Sequence, residues 1–477
     1  MVGKASLIVI LGFSVIFGIA SQYWNRTSNS AVENFIDYYD STAAHNAAVN
    51  AANLVCDSIF QNPQDTTWAS TAKVCYFNNG DRAWIQTQMS GGVGRLRNVN
   101  ILTYDTVVAY YRGRAHYIQD TVKVVLTPYA FSRFAWFTSN ENSVNWVTGD
   151  TLTGPLQTNK NLYVQGAPVI IGTVTIGGVA MNRKSQQYPG TTLSTWESYG
   201  DTLHDNSFKN GVIDSLPSVF DSNYTIKAAT KTFSNSNHTG SSYAYDVYLT
   251  FDTTNGGSVT ESDTTRYTTN SGSTWKKVDS SSAGKMSISS IANSKTGESL
   301  ILVNDGDVHV SGVVNGDVTV VATQPSSNHR ISSTSSTSYF SSSVDGNILI
   351  SSSITYKDPN APNDGSTQML GLVANNSVML TTQANAGDVT IDAAVFALDG
   401  SFSYQDYNGS AHSSYRGYID VNGSVIQNTR GAVGQVMNGP GSGPGYLKRY
   451  RYDSRFRYQA PPGFPLSRNY VVLSWKE

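Results

Sequence analysis

The sequence predicts an α+β protein that is mostly β, with a long N-terminal α-helix, an antiparallel sheet, and a β-solenoid-like or irregular β-rich head. The first observation behind this is an uncharged apolar run at 7–20. A helical pattern rich in Ala and Asn follows it to about residue 60. The rest of the chain is β-prone and rich in Ser, Thr, Asn and Gly. These parts indicate one apolar helix that carries a large β-rich head.

The length and charge of the chain limit its organisation and its partners. With 477 residues it is too long for one compact core. We expect an N-terminal helix at 1–60, an antiparallel β domain packed on that helix at 61–150, a solenoid-like head with Ser/Thr-rich insertions at 151–438, and a C-terminal β tail at 439–477. The net charge is -2, so nucleic acid is not expected as a partner.

The apolar N-terminal run has three interpretations. Lys4, the apolar run and the small-x-small sequence at 18–20 match a signal peptide. A membrane anchor is the second interpretation, although the run is short of the ~20 residues that a spanning helix needs. The third is a helix that packs against copies of itself. Our expectation is that the segment is retained in the mature chain, which favours the third.

The helical pattern becomes amphipathic after residue 30. Ser30 and Glu33 have the spacing of a capping box, so a helix can restart there. Apolar residues then recur at steps of three and four, and these are Val32, Phe35, Ile36, Tyr39, Ala43, Ala47, Ala51, Leu54 and Val55. We expect this half to pack on a domain. The weak helix formers Gly12, Gly18 and 25–30 predict a kink or local melting.

This arrangement resembles the type IV pilin superfamily. In that family a short apolar helix half is retained after leader processing, an amphipathic half follows, and a β-rich head completes the subunit. Met1 fits the family's usual Phe or Met at the start of the mature chain. Ala5 stands where the family usually has Glu, as is typical of atypical or minor pilins, so the usual charge pairing with the neighbouring subunit's N-terminus is not implied.

The resemblance implies an extracellular filament, a homopolymer whose subunits are anchored in the inner membrane before the pilus assembly machinery incorporates them. Apolar burial at ~25 cal/mol per Å² would drive bundling of the helices. With Ala5, we expect the register to depend on apolar packing, on Lys4 and on the N-terminal amine. The expected self-assembly residues are Met1, Lys4, Leu7, Ile8, Ile10, Leu11, Phe13, Val15, Ile16, Phe17 and Ile19.

Two cysteines, Cys56 and Cys75, bear on the compartment. An exported protein would pair them and a cytosolic one would keep them reduced. We favour a disulfide, which would join the end of the helix to the chain that enters the sheet and contribute roughly 3 kcal/mol. The seven histidines show no zinc-ligand spacing with them. No metal or cofactor is predicted.

Repeated patterns predict the β architecture. Residues 107–111 and 115–126 flank an Arg-Gly-Arg turn, which indicates a hairpin. Residues 162–176 are echoed at 308–320 and more weakly at 419–425, as short strands separated by Gly or Asn-Gly corners. This pattern favours a β-solenoid. The alternative is an irregular β-sandwich with Asn-Gly hairpins.

The tract at 446–458 interleaves Arg with Tyr. Stacking rings beside cations suit single-stranded nucleic acid, but the near-zero net charge favours an edge strand with alternating faces or a lateral subunit contact through cation–π pairs. The candidate surface contacts are Arg449, Arg451, Arg455 and Arg457.

The sequence contains no catalytic signature. Nucleophile elbows, phosphate loops and metal-binding helix pairs are lacking, so we do not expect an enzyme. The alternative functions are a minor pilin or a surface adhesin that binds carbohydrate or a host surface, and a secreted β-helix enzyme acting on polysaccharide. Asp388, Asp392 and Asp399 lie close in sequence, and the acidic loops 304–307 and 358–365 could hold calcium. Ordinary turns explain both sets equally well or better.

Overall fold

The computed structural model describes the chain in segments. These are 2–61, 73–78, 82–90, 98–111, 114–182, 206–210, 215–217, 229–234, 243–254, 257–267, 276–281, 284–293, 298–324, 346–361, 367–384, 387–437 and 441–476. The chain divides into two compact units. The helix unit is Met1–Gly91, Arg97–Pro128 and Asn469–Glu477, and the head unit is Gly92–Leu96 and Tyr129–Arg468.

Helix α1 (Val2–Gln61) is one unbroken α-helix of 60 residues. At 1.5 Å per residue it is ~90 Å long. The helix is not interrupted at Gly12, at Gly18 or at 25–30, where the sequence predicts a kink or local melting, because an isolated glycine in a helix costs only ~1 kcal/mol relative to alanine. Ser14 and Thr42 also fit the helix, since each hydroxyl donates to the carbonyl four residues earlier at 2.9 and 2.8 Å.

The helix unit also contains the predicted antiparallel sheet. Its strands, in the order in which they pair, are β1 (Lys73–Tyr76), β2 (Arg82–Ser90), β3 (Asn98–Tyr111), β4 (Arg114–Ala130) and β29 (Leu466–Lys476). β3 and β4 form the predicted hairpin, with register from Val99↔Leu126 to Tyr111↔Arg114. Its turn residues, 112–113, lie outside the described residues. The C-terminal strand therefore belongs to this sheet.

Helix α1 packs on the sheet only through its last turns. Ala48, Ala52, Cys56 and Ile59 form a buried cluster with the sheet side chains Val99, Ile101, Val122, Val124 and Leu126. The small alanine side chains allow the helix to lie close to the strands. Thr103 Oγ1 donates to the Ala48 carbonyl at 2.7 Å, and His45 Nδ1 lies 2.7 Å from Asp120 Oδ2. Val32, Phe35 and Tyr39 remain exposed, so the amphipathic half packs on the sheet less extensively than the sequence predicts.

The head unit is built from short strands. Its first half contains β5 (Trp136–Asn140), β6 (Trp146–Val147), β7 (Thr151–Thr153), β8 (Leu156–Thr158), β9 (Leu162–Gln165), β10 (Val169–Ile176), β11 (Ala180–Asn182), β12 (Asn206–Asn210), β13 (Lys231–Ser234), β14 (Tyr243–Asp252), β15 (Ser258–Tyr267), β16 (Lys276–Ser280), β17 (Gly284–Ser287) and the short helix α2 (Ile288–Ile291). Its second half contains β18 (Ser299–Asn304), β19 (Asp307–Val314), β20 (Asp317–Ala322), β21 (Ile348–Tyr356), β22 (Met369–Ala374), β23 (Val378–Leu380), β24 (Val389–Ile391), β25 (Ala394–Ala397), β26 (Phe402–Tyr404), β27 (Tyr415–Thr429) and β28 (Gly445–Tyr452).

Most head strands pair in parallel, in two ladders. Ladder 1 runs β12-β10-β8-β5-β27-β25-β22-β20-β18-β13. Ladder 2 runs β10-β7-β28-β27-β24-β21-β19-β14. From β18 to β22 successive strands alternate between the ladders. Antiparallel pairing in the head occurs mainly around β14–β17.

The first head strands join the last ones. β5 pairs with β27, and β7 pairs with β28, so that residues 136–140 lie beside residues 425–429 and residues 151–153 lie beside residues 449–451. The sequence analysis predicted a domain boundary at 150 and a separate tail at 439–477. The two compact units do not divide the chain at these positions. Trp136 and Phe137 already belong to the head, and 445–452 form one of its strands.

Four neighbouring strands of ladder 1, β18, β20, β22 and β25, are buried on both faces. In β20, Val318 and Val320 belong to the main core of the head, whereas Val321 belongs to a second cluster built around Phe131, Phe137, Phe396 and Phe464. Strands covered on both sides carry continuous apolar runs, and every residue of Met369–Ala374 is buried.

Glycine allows the corners to stack. Gly154 and Gly172 have φ of +127° and +131°, in a region that other residues rarely adopt. A Cβ atom on Gly172 would lie 2.5 Å from the Gly154 carbonyl oxygen. These close approaches explain the Gly-punctuated pattern of the sequence.

A buried ionic centre fastens the first head strands to the last. It consists of Glu141, Asp150, Arg430 and Lys448. Arg430 Nη1 lies 2.5 Å from Glu141 Oε2, and Lys448 Nζ lies 2.5 Å from Asp150 Oδ2. The Arg430 guanidinium lies 4.4 Å from the centroid of the Trp146 ring. Burial lowers the pKa of Lys448, and the charge of Asp150 acts in the opposite direction.

We predict that Arg430→Met lowers the free energy of unfolding of the head by ~3–5 kcal/mol, because it leaves the Glu141 carboxylate buried without its partner. The double variant Arg430→Met/Glu141→Gln should recover much of this loss. Urea unfolding followed by tryptophan fluorescence measures the change. The control is Lys285→Met, which breaks the solvent-accessible pair with Asp252 and should change the stability much less, because water screens that pair. Equal losses for the two single variants would contradict the role of the ionic centre.

Candidate functional site: the exposed part of helix α1

The N-terminal part of α1 exposes nearly all of its apolar side chains. Their exposed fractions lie between 55% and 73%. The exposed residues predicted for self-assembly are Leu7, Ile8, Ile10, Leu11, Phe13, Val15, Ile16, Phe17 and Ile19, and Lys4 is also exposed. Met1 lies outside the described residues. The structure thus places the predicted assembly residues together, on all sides of one helix.

Burial of this apolar surface would be energetically favourable. A large apolar side chain gains ~1.5–3 kcal/mol when it leaves water, and monomeric proteins rarely expose contiguous apolar patches of this size. By length and composition α1 is also able to cross a membrane, with a mean hydropathy of 2.0 over its most apolar stretch. A signal sequence satisfies the same criteria. The helix is therefore compatible with a membrane anchor, a secretion signal or a packing element.

Aromatic side chains continue the exposed surface towards the sheet. Tyr23, Trp24, Phe35, Tyr38 and Tyr39 are each exposed by 66–73%. The sequence pattern placed Phe35 and Tyr39 on the face that packs on a domain. They precede the first buried position, Ala44, so the helix has not yet reached the sheet where they lie.

Three carboxylates lie among these aromatic residues. Glu33, Asp37 and Asp40 follow one another at steps of four and three, so they share one side of the helix, and we call them the acidic stripe. Neither they nor Lys4 form an ion pair with any described residue. The spacing of these carboxylates can be read from the sequence. The sequence analysis did not identify them as a group, because it assigned this half of the helix to packing within the chain.

A groove of about 440 Å³ is lined by the part of α1 that begins at Tyr39, on a different side of the helix from Glu33 and Asp37, and we call it the helix groove. Its lining comes from about three turns of α1 and from the chain just after β1. The lining residues are Tyr39, Thr42, Ala43, Asn46, Ala47, Asn50, Phe77 and Asn78. Small and amide side chains on the helix leave this space open.

The predicted disulfide is absent, since Cys56 and Cys75 are both free thiols. Cys56 belongs to the cluster with Ala48, Ala52 and Ile59, whereas Cys75 packs beside a separate cluster around Ala51 and Ala83. The two thiols therefore face different parts of the helix–sheet interface. Burial raises the pKa of Cys56 to about 11.

We predict that the chain purified without reductant takes up two alkyl groups when it is denatured and treated with iodoacetamide. In the folded chain at pH 8 Cys56 should stay unmodified, because the thiolate that reacts is scarce well below its pKa. Intact-mass spectrometry reads both results. If the denatured protein reacts only after reduction, the two cysteines are joined by a disulfide and the prediction is wrong.

The Arg/Tyr tract does not form the exposed edge that the sequence predicts. β28 lies between β27 and β7, so it is not an edge strand. Arg455 is buried, ion-paired with Asp453 at 2.6 Å, and donates to the Gln368 carbonyl at 2.8 Å. Of the four candidate arginines, Arg455 is thus not a surface contact.

The other three arginines differ among themselves. Arg449 forms ion pairs with Asp388 and Asp420, and its guanidinium lies 3.9 Å from the centroid of the Tyr418 ring. Arg451 and Arg457 are exposed. The sequence suggested cation–π pairs between subunits, whereas the contact of Arg449 with Tyr418 lies within the head.

The carboxylates considered for chemistry or metal binding have structural partners. Asp392 accepts from the Tyr356 N–H at 2.8 Å and from Asn422 Nδ2 at 2.7 Å, and Asp399 accepts from Asn375 Nδ2 at 3.0 Å. Asp307 accepts from the Asn347 backbone and side chain. Within the described segments no three His, Cys, Asp or Glu residues are placed to hold a metal ion.

One carboxylate in the head has no such partner, and sequence reasoning missed it. Asp317 Oδ1 is buried and accepts no hydrogen bond from a described residue. Burial is the main cause that raises the pKa of Asp317 to about 8; the charge of Glu298 adds to it, and Arg455 opposes it. The folded chain therefore holds this proton more tightly than the unfolded chain, where the pKa is near 3.8.

We predict that Asp317→Asn makes the head more stable than the wild type above about pH 8. The unfolded wild type loses this proton near pH 3.8 and the folded protein only near pH 8, so the wild type loses stability as the pH rises between these values. Urea midpoints between pH 4 and pH 9 test this. The exposed Asp279→Asn should leave the pH profile unchanged. A wild-type profile that Asp317→Asn does not flatten would contradict the protonation.

Comparison with known proteins found no match to a family model, to a characterised protein or to a solved structure.

Proposed function

We propose that this chain is the structural subunit of an extracellular type IV pilus-like filament and self-assembles through α1. The observation that carries the proposal is the uncovered apolar helix, because no described part of the chain packs on residues 3–19. Copies of the same helix offer a matching apolar surface on every side. The same helix would hold the subunit in the inner membrane until the pilus assembly machinery incorporates it.

We infer that the head is a β-solenoid on the outside of this filament. Parallel pairing in two ladders supports this inference, as does the alternation of successive strands between them. Stacked glycine corners at Gly154 and Gly172 fit the same architecture. A head rich in Ser, Thr, Asn and Gly suits a surface repeated along a fibre.

The energetics favour a bundle over a solvated helix. Each large apolar side chain of 7–19 that becomes buried contributes ~1.5–3 kcal/mol, and the run contains many of them. Association pays for lost rotational and translational freedom, estimated at ~4–15 kcal/mol. Several buried side chains per contact exceed this cost.

We predict that Leu11→Asp or Ile16→Asp abolishes filaments and leaves the head folded, because a carboxylate buried in an apolar bundle costs several kcal/mol. Negative-stain imaging and sedimentation measure assembly, and circular dichroism reports the head. The control Ser28→Asp adds the same charge on the exposed helix outside the apolar run and should assemble normally.

Normal filaments from the Leu11→Asp variant would refute the proposal. Labelling of the native fibre with antibody to the head also distinguishes the two kinds of subunit. A major subunit is labelled along the whole fibre, whereas a minor pilin or adhesin is labelled at the tip or at rare positions.

A further inference from the structure

A buried lysine and a buried aspartate meet where the first head strands join the last. β7 pairs in parallel with β28, with Leu152 beside Tyr450. Asp150 and Lys448 each stand two positions earlier, so both side chains point to the same side of the sheet as this core pair. Lys448 Nζ lies 2.5 Å from Asp150 Oδ2, although the two residues are 298 positions apart in the sequence. The register thus places a primary amine directly against a carboxyl group inside the core.

The surroundings of this pair are apolar and shielded from solvent. The Asp150 side chain is fully buried, and that of Lys448 is 9% exposed. The rings of Trp146 and Tyr450 contact each other with centroids 6.2 Å apart, and Lys448 Nζ lies 5.7 Å from the Trp146 centroid. Burial lowers the pKa of Lys448 against the opposing charge of Asp150, and the charge of Arg430 adds to the lowering. Such surroundings favour a neutral amine and a neutral carboxylic acid over two charges.

The backbone holds the carboxyl group of Asp150 in place for attack by the amine. The Lys448 N–H donates to Oδ1 at 3.0 Å, and the Val147 N–H donates to Oδ2 at 3.0 Å. Because a C–O bond is ~1.2 Å long, Lys448 Nζ lies within ~3.7 Å of Cγ, close to the ~3–3.5 Å of a near-attack geometry. The Lys448 N–H also faces Oδ1, the oxygen that gains negative charge when Nζ adds to Cγ, as the donors of an oxyanion hole do.

We propose that Lys448 and Asp150 form an intramolecular amide (isopeptide) bond between the beginning and the end of the head sequence. Within the pair, the ammonium group gives one proton to Oδ2, which produces a free amine and a carboxylic acid. Nζ then forms a bond to Cγ. The Cγ–Oδ2 bond breaks, and Oδ2 leaves as water after it takes one of the two protons that remain on Nζ. The reaction needs no oxidant, reductant or other co-reactant.

The buried position favours the amide over the ion pair. A buried ion pair gains little, because both charges lose their hydration. The amide is neutral, and its oxygen keeps the hydrogen bond from the Lys448 N–H. Two groups held in place also react as if they were highly concentrated, with effective molarities up to ~10⁵–10⁸ M. Since the site is closed to solvent, hydrolysis of the bond is slow.

The bond closes the head covalently. The main segment of the head unit runs from Tyr129 to Arg468, and the bond joins positions just inside these two ends. Residues 150–448 then form one covalent loop, which reduces the conformational freedom of the unfolded chain. In a chain whose two cysteines are free thiols, this bond supplies the kind of cross-link that a disulfide gives to other exported proteins. The bond is independent of the filament function proposed above.

Mass spectrometry of the full-length chain under denaturing conditions tests the bond. The folded and then denatured wild type should be lighter than its unlinked chain by the mass of one water molecule. A tryptic digest should contain a branched peptide that joins Asp150 to Lys448, with no cleavage after Lys448, because trypsin does not recognise an acylated lysine. Lys285 and Asp252 form an internal control, since their pair is 2.8 Å long but solvent-accessible, and they should occur only in unlinked peptides.

Two variants remove the nucleophile and should give the full, unlinked mass. Lys448→Arg keeps a positive charge beside Asp150, but a guanidinium that is always protonated does not attack the carboxyl carbon. The combination Lys448→Met/Asp150→Asn removes both charges and keeps a side-chain oxygen for the two backbone N–H groups, so it should fold even if Lys448→Arg does not. Circular dichroism reports folding of both variants.

Three results would overturn the proposal. One is a wild-type chain with its full unlinked mass, in which Asp150 and Lys448 occur only in separate linear peptides and form an ordinary buried ion pair. Another is a loss of water that persists in Lys448→Met/Asp150→Asn. The third is a branched peptide that joins other residues. None of these measurements involves assembly, so the isopeptide bond and the filament function can each fail while the other stands.

Discussion

The uncovered apolar helix is the constraint on which the rest of this molecule depends. Residues 3–19 of α1 expose apolar side chains in every direction, and burial in the described chain begins only at Ala44. Exposure to water is unfavourable for a helix that is apolar on all sides, so lipid or other chains must surround it. The sheet therefore holds the helix only by its last turns, through a stripe of alanines. The remaining length stays available for contacts outside the subunit.

The stability of the head comes from contacts among its own strands. Parallel strands buried on both faces supply its core, and the Phe131 and Phe396 cluster closes the outer side of ladder 1. The ionic centre then joins chain segments that are 289 positions apart at Glu141 and Arg430. A fully buried ion pair contributes little net stability, but its strict geometry disfavours other pairings of the strands. In this head the pair lies where the beginning and the end of the head sequence meet.

The sequence predicted the parts that depend on neighbours in the chain. Helix α1, the β3–β4 hairpin and the mostly β character follow from local periodicity and turn residues, and the structure confirms them. The pairing of β5 with β27 could not be foreseen, because no local pattern in one sequence reports which distant strands meet. Burial of Arg455 depends on Asp453 and Gln368 packing over it. The prediction of a disulfide was wrong for a similar reason, since the spacing of Cys56 and Cys75 in the sequence does not tell which part of the helix–sheet interface each thiol faces.

The stagger between neighbouring helices is where the departure from the pilin pattern has physical consequences. A carboxylate at the fifth residue would hold an adjacent N-terminus nearly level with its own, but Ala5 offers no charge there. The nearest carboxylates on α1 begin at Glu33, more than 40 Å further along the helix at ~1.5 Å per residue. Electrostatic register in the proposed filament therefore requires a longer offset, and apolar contacts alone would not select one, since a helix that is apolar on all sides packs almost equally well after a shift of one turn.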